Sequence, residues 1–277
     1  MSKIPSLAIT EKILRVIAAQ GIPEVSLAAV RVGDNPASIS FLRQKKQAAE
    51  KIGIHYQECV LPESATEIEV ASLLNFLAKD PKVGGIILQL PLPSRLNQKQ
   101  LVQLIPSSKD VDILSDESKQ KNYAPAPPLG VVNAILEEEK ISLVDKKIAL
   151  IGWGELIGQP IASYLATQNI VHQIFRRRDH DLQEKLGHFD IIISGTGAGA
   201  IFGPENLKNN ALVIDFGWKR DESTGKISGD YDSRNSEEEE KKGIRATTTP
   251  GGTGPILVAK ILENFAILAN KTTPLDK

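Results

Sequence analysis

The sequence predicts an α/β protein built from two βαβ-type domains. Three observations carry that prediction. Apolar runs of strand length alternate with stretches of helical spacing through most of the chain. A proline-punctuated region, Pro91 to Pro128, interrupts the alternation, which then begins again. The 277 residues, 41% of them hydrophobic, are enough for two cores at roughly 100–200 residues per domain.

In chain order, Ala8 to Ala19 sets Ile13, Leu14 and Ile17 at helical spacing. Ser26 to Val32 is an apolar strand ended by the turn residues Gly33-Asp34-Asn35-Pro36. Phe41 to Ile52 reads as a helix rich in Lys, Gln, Ala and Glu, with Ser38 in position to cap it. His55 to Leu61 is a strand, Ala65 to Ala78 a helix, and Val83 to Leu90 a nearly continuous apolar strand of the kind a parallel sheet buries. The region of Pro91, Pro93, Pro106, Pro125, Pro127 and Pro128 is either loop framing a site or a hinge between domains. Gly130 to Glu139 follows as a connecting helix. The second alternation comprises strand Ile148 to Ile151, helix Gly158 to Thr167, and strands Ile170 to Phe175, Ile191 to Ser194 and Leu212 to Phe216. Ser233 to Lys242, with Glu237 to Glu240, reads as a solvated helix face, and Ile256 to Ala269 as a final helix.

Composition removes several functions. With 33 Lys+Arg against 34 Asp+Glu, the net charge of −1 gives no global attraction to nucleic acid or an anionic membrane. Aromatic residues, at 5%, are too sparse for base-stacking platforms. The one cysteine, Cys59, cannot form an intrachain disulfide, which points to a reducing compartment. Met1 to Ser6 has no apolar signal core, and no apolar run reaches the roughly 18 residues of a membrane span, so a cytoplasmic protein is expected. His55, His172, His180 and His188 lack metal-ligand spacing, and no metal is expected.

Gly152-Trp153-Gly154-Glu155-Leu156-Ile157-Gly158 lies directly between a predicted strand and helix. Its spacing is one residue longer than the usual dinucleotide fingerprint. Its physics is the same: glycines admit a pyrophosphate to the backbone, and the helix N-terminus offers free N–H groups. The second domain is therefore expected to be a Rossmann-type NAD(P)-binding domain. The next strand ends in Arg176-Arg177-Arg178-Asp179, where an adenosine ribose lies in such domains. Arginine there suits the 2′-phosphate of NADP, while Asp179 leaves NAD open. In the first half, Phe41 and Lys45 share a helix face, which also describes a lysine snorkelling beside an aromatic ring. Gln89 closes an apolar strand, at the sheet edge where α/β proteins hold ligands. Asp110 and Asp112 could simply cap turns.

These segments occur together and in order: Gly33 to Ser38 with Lys45, Gly85-Ile86-Ile87-Leu88-Gln89-Leu90-Pro91-Leu92-Pro93, Lys109-Asp110-Val111-Asp112, Gly152 to Pro160, and Pro250-Gly251-Gly252-Thr253-Gly254-Pro255. In this the chain resembles the bifunctional methylenetetrahydrofolate dehydrogenase/methenyltetrahydrofolate cyclohydrolase family from about Val32 to Ala269. The resemblance implies a catalytic, folate-binding domain (residues 1–127 plus 253–277) facing an NAD(P)-binding domain (128–252) across a cleft. It implies NADP as cofactor with NAD possible, tetrahydrofolate derivatives as substrates, and a homodimer. It assigns catalysis to Lys45, Gln89 and Asp112, with Asp112 binding the pterin, and substrate contacts to Phe41, Leu88, Leu90, Pro250, Gly251 and Gly252. Cofactor contacts fall on Gly152, Trp153, Gly154, Leu156, Ile157, Arg176, Arg177, Arg178 and Trp218.

The chain also departs from the family pattern. Phe41 stands where tyrosine is usual and removes a hydroxyl. Trp153 replaces the arginine of a Gly-Arg-Ser turn, a loss that Arg176 to Arg178 are placed to offset. Ile113 replaces the glycine of Asp-Val-Asp-Gly, Pro125-Ala126-Pro127-Pro128 replaces Pro-Cys-Thr-Pro, and Thr248-Thr249 replaces Pro-Val. The customary opening strand is missing. Three readings stay open: a bifunctional enzyme, an enzyme with one of the two activities, and a non-catalytic folate or nucleotide binder. Retention of Lys45, Gln89 and Asp112 argues against the last.

Overall fold

The computed structural model describes residues 3–176, 179 and 181–272. The chain forms two compact units, one comprising Glu11–Pro127 and the residues from Val258 on, the other the residues up to Thr10 and Pro128–Leu257. Residues 3–10 group with the second unit, where Ile4 donates its N–H to the carbonyl of Ala246 at 3.1 Å.

In chain order the first unit contains α1 (Ser6–Ala19, from Glu11 on), β1 (Ser26–Val32), α2 (Pro36–Lys51), β2 (Tyr56–Leu61), α3 (Glu67–Lys79), β3 (Val83–Leu88), α4 (Gln98–Val102) and α5 (Asp116–Lys121). Its three strands form a parallel sheet in the order β2-β1-β3, with Leu27 opposite Tyr56 on one side and Gly85 on the other. All six residues of β3 are buried, which explains its unbroken apolar run. Helix α2 begins earlier than its composition suggests. Asn35 is the cap, its side chain accepting from the N–H groups of Ala37 and Ser38, and Pro36 fits the first turn, where no N–H is needed. Ser38 instead turns inward, 4% exposed. Helix α3 opens on a capping box between Thr66 and Glu69. The proline-punctuated region carries α4 and α5, capped by Asn97 and Ser115.

The second unit holds α6 (Pro127–Glu139, from Pro128 on), β4 (Ile148–Ile151), α7 (Gly158–Thr167), β5 (His172–Phe175), α8 (Leu182–Lys185), β6 (Ile191–Ser194), β7 (Leu212–Asp215), β8 (Lys219–Arg220), β9 (Ile227–Ser228), α9 (Ser236–Lys241) and β10 (Arg245–Ala246). Five strands make a parallel sheet in the order β10-β7-β6-β4-β5, and β8 and β9 form an antiparallel hairpin. Both units are thus α/β with parallel sheets, as the alternation predicts, and the second is of the Rossmann type. Its core includes Phe175 and Phe189 packed edge to face, ring centroids 5.7 Å apart. The acidic run differs from expectation. Glu239 of α9 is buried, 3% exposed, and accepts a hydrogen bond from the Tyr231 hydroxyl at 3.3 Å. Only the rest of that helix is a solvated face.

The last helix, α10 (Thr253–Thr272), contributes its residues from Val258 on to the first unit. A Cβ on Gly85 would meet Phe265 at 2.7 Å and Val111 at 2.8 Å, so the absence of a side chain there lets α10 approach the sheet. Asn264, 1% exposed, donates from Nδ2 to the carbonyls of Val111 and Pro125, both at 2.9 Å. No helix among the described residues is long and apolar enough to cross a membrane.

Asn264→Leu would leave both carbonyls without that partner, and each buried unpaired group costs roughly 1–3 kcal/mol. The urea midpoint is expected to fall by an amount equivalent to about 2 kcal/mol or more. An unchanged midpoint would mean that α10 is held by its apolar face alone.

Candidate functional site

In the first unit the buried face of α2 carries Ser38, Leu42, Lys45 and Ala49. Lys45 is 7% exposed and donates from Nζ to Oε1 of Gln89 at 3.2 Å. Gln89 follows the end of β3 and is held in turn, donating from Nε2 to the Leu90 carbonyl at 2.6 Å. The Leu90–Pro91 peptide is cis. Burial pushes the Lys45 ammonium below the ordinary lysine range, and the negative charge of Asp112 partly opposes this. Burial likewise pushes the Asp112 carboxyl up, countered by Lys45 and reinforced by Asp110. The two groups therefore sit in one electrostatic cluster, each with its charged form disfavoured.

Asp110 has a different task. Its Oδ2 accepts the N–H groups of Leu114 at 2.9 Å and Ser115 at 2.8 Å, fixing the turn that presents Asp112. Next to Asp112, Ile113 has φ +56, a left-handed conformation that glycine adopts freely and a β-branched residue rarely does. The turn that a glycine would make is kept, with strain, by an isoleucine that is 6% exposed. Sequence reading passed over Tyr56. Its hydroxyl is buried with no hydrogen-bond partner among the described residues, and it feels the charges of Glu58 and Asp112. Phe41, one turn before Lys45 on α2, is half-buried, as is Leu90, while Leu88 is buried inside β3.

In the second unit Gly152 leaves β4 with φ +101 and donates its N–H to the Phe175 carbonyl at 2.9 Å. A Cβ on Gly158 would run into the Gly152 carbonyl, so the first turn of α7 fits against the glycine turn only without one. Around Gly154 there is open space, and Ile157, at the cap position before α7, provides no side-chain cap. That combination suits the pyrophosphate of a dinucleotide: a backbone that can be approached, with the N-terminal end of α7 behind it, where the Gln159 N–H is held by the Gly154 carbonyl at 3.0 Å. Trp153 and Leu156 are 39% and 45% exposed beside it. The Arg176 guanidinium lies over the Trp153 ring, 4.9 Å from its centroid. Arg177 and Arg178 lie outside the described residues. Trp218, after β7, is 36% exposed.

Two carboxylates organise the loops at this edge of the sheet, and sequence reading missed both. Asp230, 0% exposed, accepts from the Ser194 hydroxyl at 2.7 Å and from the N–H groups of Thr196, Ala198 and Gly199 at 2.7, 3.0 and 3.3 Å. Asp215 closes β7 and accepts from the N–H groups of Gly217 at 2.7 Å and Tyr231 at 2.9 Å. Its main-chain N–H donates to the Thr247 hydroxyl at 2.8 Å and its carbonyl accepts from the Thr253 hydroxyl at 2.9 Å, which brackets the Pro250-Gly251-Gly252 loop. The Thr249–Pro250 peptide is cis. An acid ending an apolar strand was the available signal for Asp215.

The fold and these two clusters define the class: an α/β protein whose second unit is of the Rossmann dinucleotide-binding type and whose first unit carries a buried acid–base group. Comparison with known proteins narrows this. The catalytic-domain model of tetrahydrofolate dehydrogenase/cyclohydrolase matches residues 3–112, and its NAD(P)-binding-domain model matches residues 125–273. The chain belongs to the tetrahydrofolate dehydrogenase/cyclohydrolase family. It is 35% identical to the bifunctional protein FolD of Staphylococcus carnosus over 253 residues, covering 88% of this chain and 86% of that protein. The crystal structure of the bifunctional FolD dehydrogenase/cyclohydrolase from Campylobacter jejuni superposes with a TM-score of 0.85 at 33% identity, covering 97% of this chain and 96% of that one. The bifunctional enzyme from Thermoplasma acidophilum gives 0.85 at 25% identity, covering 97% and 98%.

Burial, opposed by backbone hydrogen bonds and reinforced by Asp230, raises the Asp215 carboxyl from 3.8 to about 7. The folded state then holds a proton that the unfolded chain releases near pH 4, so this stabilisation is complete below that pH and is lost as pH rises to about 7. Thermal melting of Asp215→Asn should gain on the parent as pH rises from 4 to 7, by on the order of 4 kcal/mol at most, and level off above. Parallel melting curves against pH would show that Asp215 does not titrate in that window.

Proposed function

We propose that this chain oxidises 5,10-methylenetetrahydrofolate to 5,10-methenyltetrahydrofolate with NADP and hydrolyses the product to 10-formyltetrahydrofolate. The observation that carries the reading is the buried Lys45 ammonium, hydrogen-bonded to Gln89 in the field of Asp112, in a member of this family. The glycine turn, open at Gly154 and backed by the N-terminal end of α7, would hold the dinucleotide pyrophosphate. NADP, when bound, supplies the hydride acceptor. The substrate's own nitrogens stabilise the cation left behind, so the protein's task in that step is alignment.

Hydrolysis requires a proton to leave the water that adds to the methenyl carbon, and a ring C–N bond then to break. A lysine held below its ordinary range has a larger neutral fraction and can take that proton. Gln89 fixes the position of Nζ. Asp112 would meet the pterin, with Phe41 offering its ring, and Leu88 and Leu90 would add apolar folate contacts. The absence of a hydroxyl on Phe41 favours one alternative, an enzyme in which cyclohydrolase is the weaker activity. We also expect a cytoplasmic homodimer, which light scattering would report as twice 30.1 kDa.

One absorbance assay of methenyltetrahydrofolate tests both steps, its formation from the methylene compound with NADP or NAD and its decay in water. Lys45→Met should slow the decay about 100-fold while formation keeps most of its rate. Its melting temperature should equal or exceed the parent's, because a buried cation has been removed. Decay at the parental rate would sink the assignment of Lys45. Folate binding without formation or decay in the parent would identify a binding protein instead.

A further inference from the structure

Strands β4 and β5 are parallel neighbours with Ile151 opposite Phe175, so the residues that follow, Gly152-Trp153 and Arg176, leave the same edge of the sheet side by side. The Gly152–Phe175 hydrogen bond at 2.9 Å locks that alignment. The Arg176 guanidinium carbon then lies 4.9 Å from the centroid of the Trp153 ring. A guanidinium held over an aromatic ring by cation–π attraction still has N–H donors to offer a phosphate. Asp179 has a partner of its own: its carboxylate accepts the backbone N–H of Arg176 at 2.6 Å. Where the family resemblance puts an arginine in the glycine turn, this chain has Trp153, and the cation comes from the neighbouring strand.

We propose that Trp153 is a specificity-determining positioning residue, a platform that fixes Arg176 for the 2′-phosphate of NADP and so sets the preference over NAD. This rests on the NADP-dependent reading above. An exposed arginine loses rotamer freedom when it binds phosphate, and the ring removes part of that loss beforehand. NAD has a hydroxyl at the same position and gains nothing from the arrangement.

Calorimetric titration of the full chain with 2′,5′-ADP and with 5′-AMP separates the 2′-phosphate contribution from the rest, with no turnover needed. Trp153→Ala should weaken 2′,5′-ADP about two- to five-fold, the range of an exposed cation–π contact, and leave 5′-AMP unchanged. Arg176→Gln should weaken it about ten-fold or more, and adding Trp153→Ala to that variant should cost nothing further. Trp153→Phe, which keeps a ring, should restore most of the preference. Equal weakening of both ligands, an unchanged ratio in Trp153→Ala, or a further loss in the double variant would overturn the proposal. An Arg176→Gln protein with an intact ratio would also overturn it, assigning the phosphate to other cations. If the parent binds the two ligands equally, the NADP reading fails as well. A parent that prefers 2′,5′-ADP while Trp153→Ala keeps that preference defeats the platform alone.

Discussion

A lysine ammonium taken out of water forfeits much of its hydration, and the first unit is arranged around one that is 7% exposed. Three segments far apart in the chain meet to hold it. Helix α2 brings Lys45, the end of β3 brings Gln89 to within 3.2 Å, and the turn fixed by Asp110 brings Asp112 into electrostatic range. Each has its own support: the Asn35 cap for α2, the Leu90 carbonyl for Gln89, and the backbone N–H groups of Leu114 and Ser115 for Asp110. The apolar sheet beneath them serves this cluster by excluding water. Burial there lowers the cost of deprotonating a residue type that is otherwise a fixed cation.

The second unit solves a different problem, holding glycine-rich loops still at the open edge of a parallel sheet. Asp230 does so with four accepted hydrogen bonds, three of them from main-chain N–H groups between Thr196 and Gly199. Gly195, at the start of that loop, lies so near Ile157 that a Cβ would come within 2.7 Å of it. The carboxylate therefore supports the loop, and the loop lies against the glycine turn after β4. Asp215 does the same for the segments around Gly217 and Tyr231. The polar interior of this unit lies at the sheet edge, and the apolar interior lies below it.

Much of the architecture was legible in the sequence, for a simple reason. Strands of a buried parallel sheet are continuous apolar runs, so Ser26–Val32, Ile148–Ile151 and Ile191–Ser194 could be read to the residue. Where capping decides the boundary, as with Asn35-Pro36 before α2, composition gave a later start. Helices α4, α5 and α8 are too short to show a period. The partnership of Lys45 with Gln89 spans 44 residues and came from resemblance, since no spacing rule contains it. Asp215 and Asp230 stayed hidden because a hairpin separates them in sequence and only the fold reunites their loops. The left-handed backbone at Ile113 had no residue-level signal at all, isoleucine being the wrong side chain for it.

The way α10 completes the first unit reaches beyond its packing. Gly85 and Val111 lie in the first half of the chain, while Phe265 and Asn264, which close the same core, lie near its end. During synthesis the ribosome delivers β1 to α5 first, yet this core stays open until the whole of the second unit has been made. The second unit has only its brief N-terminal contact to find at a distance and can fold ahead of it. The unit that holds β1 to α5 is thus the last to be finished. Until then its apolar sheet is an exposed surface for chaperones to cover.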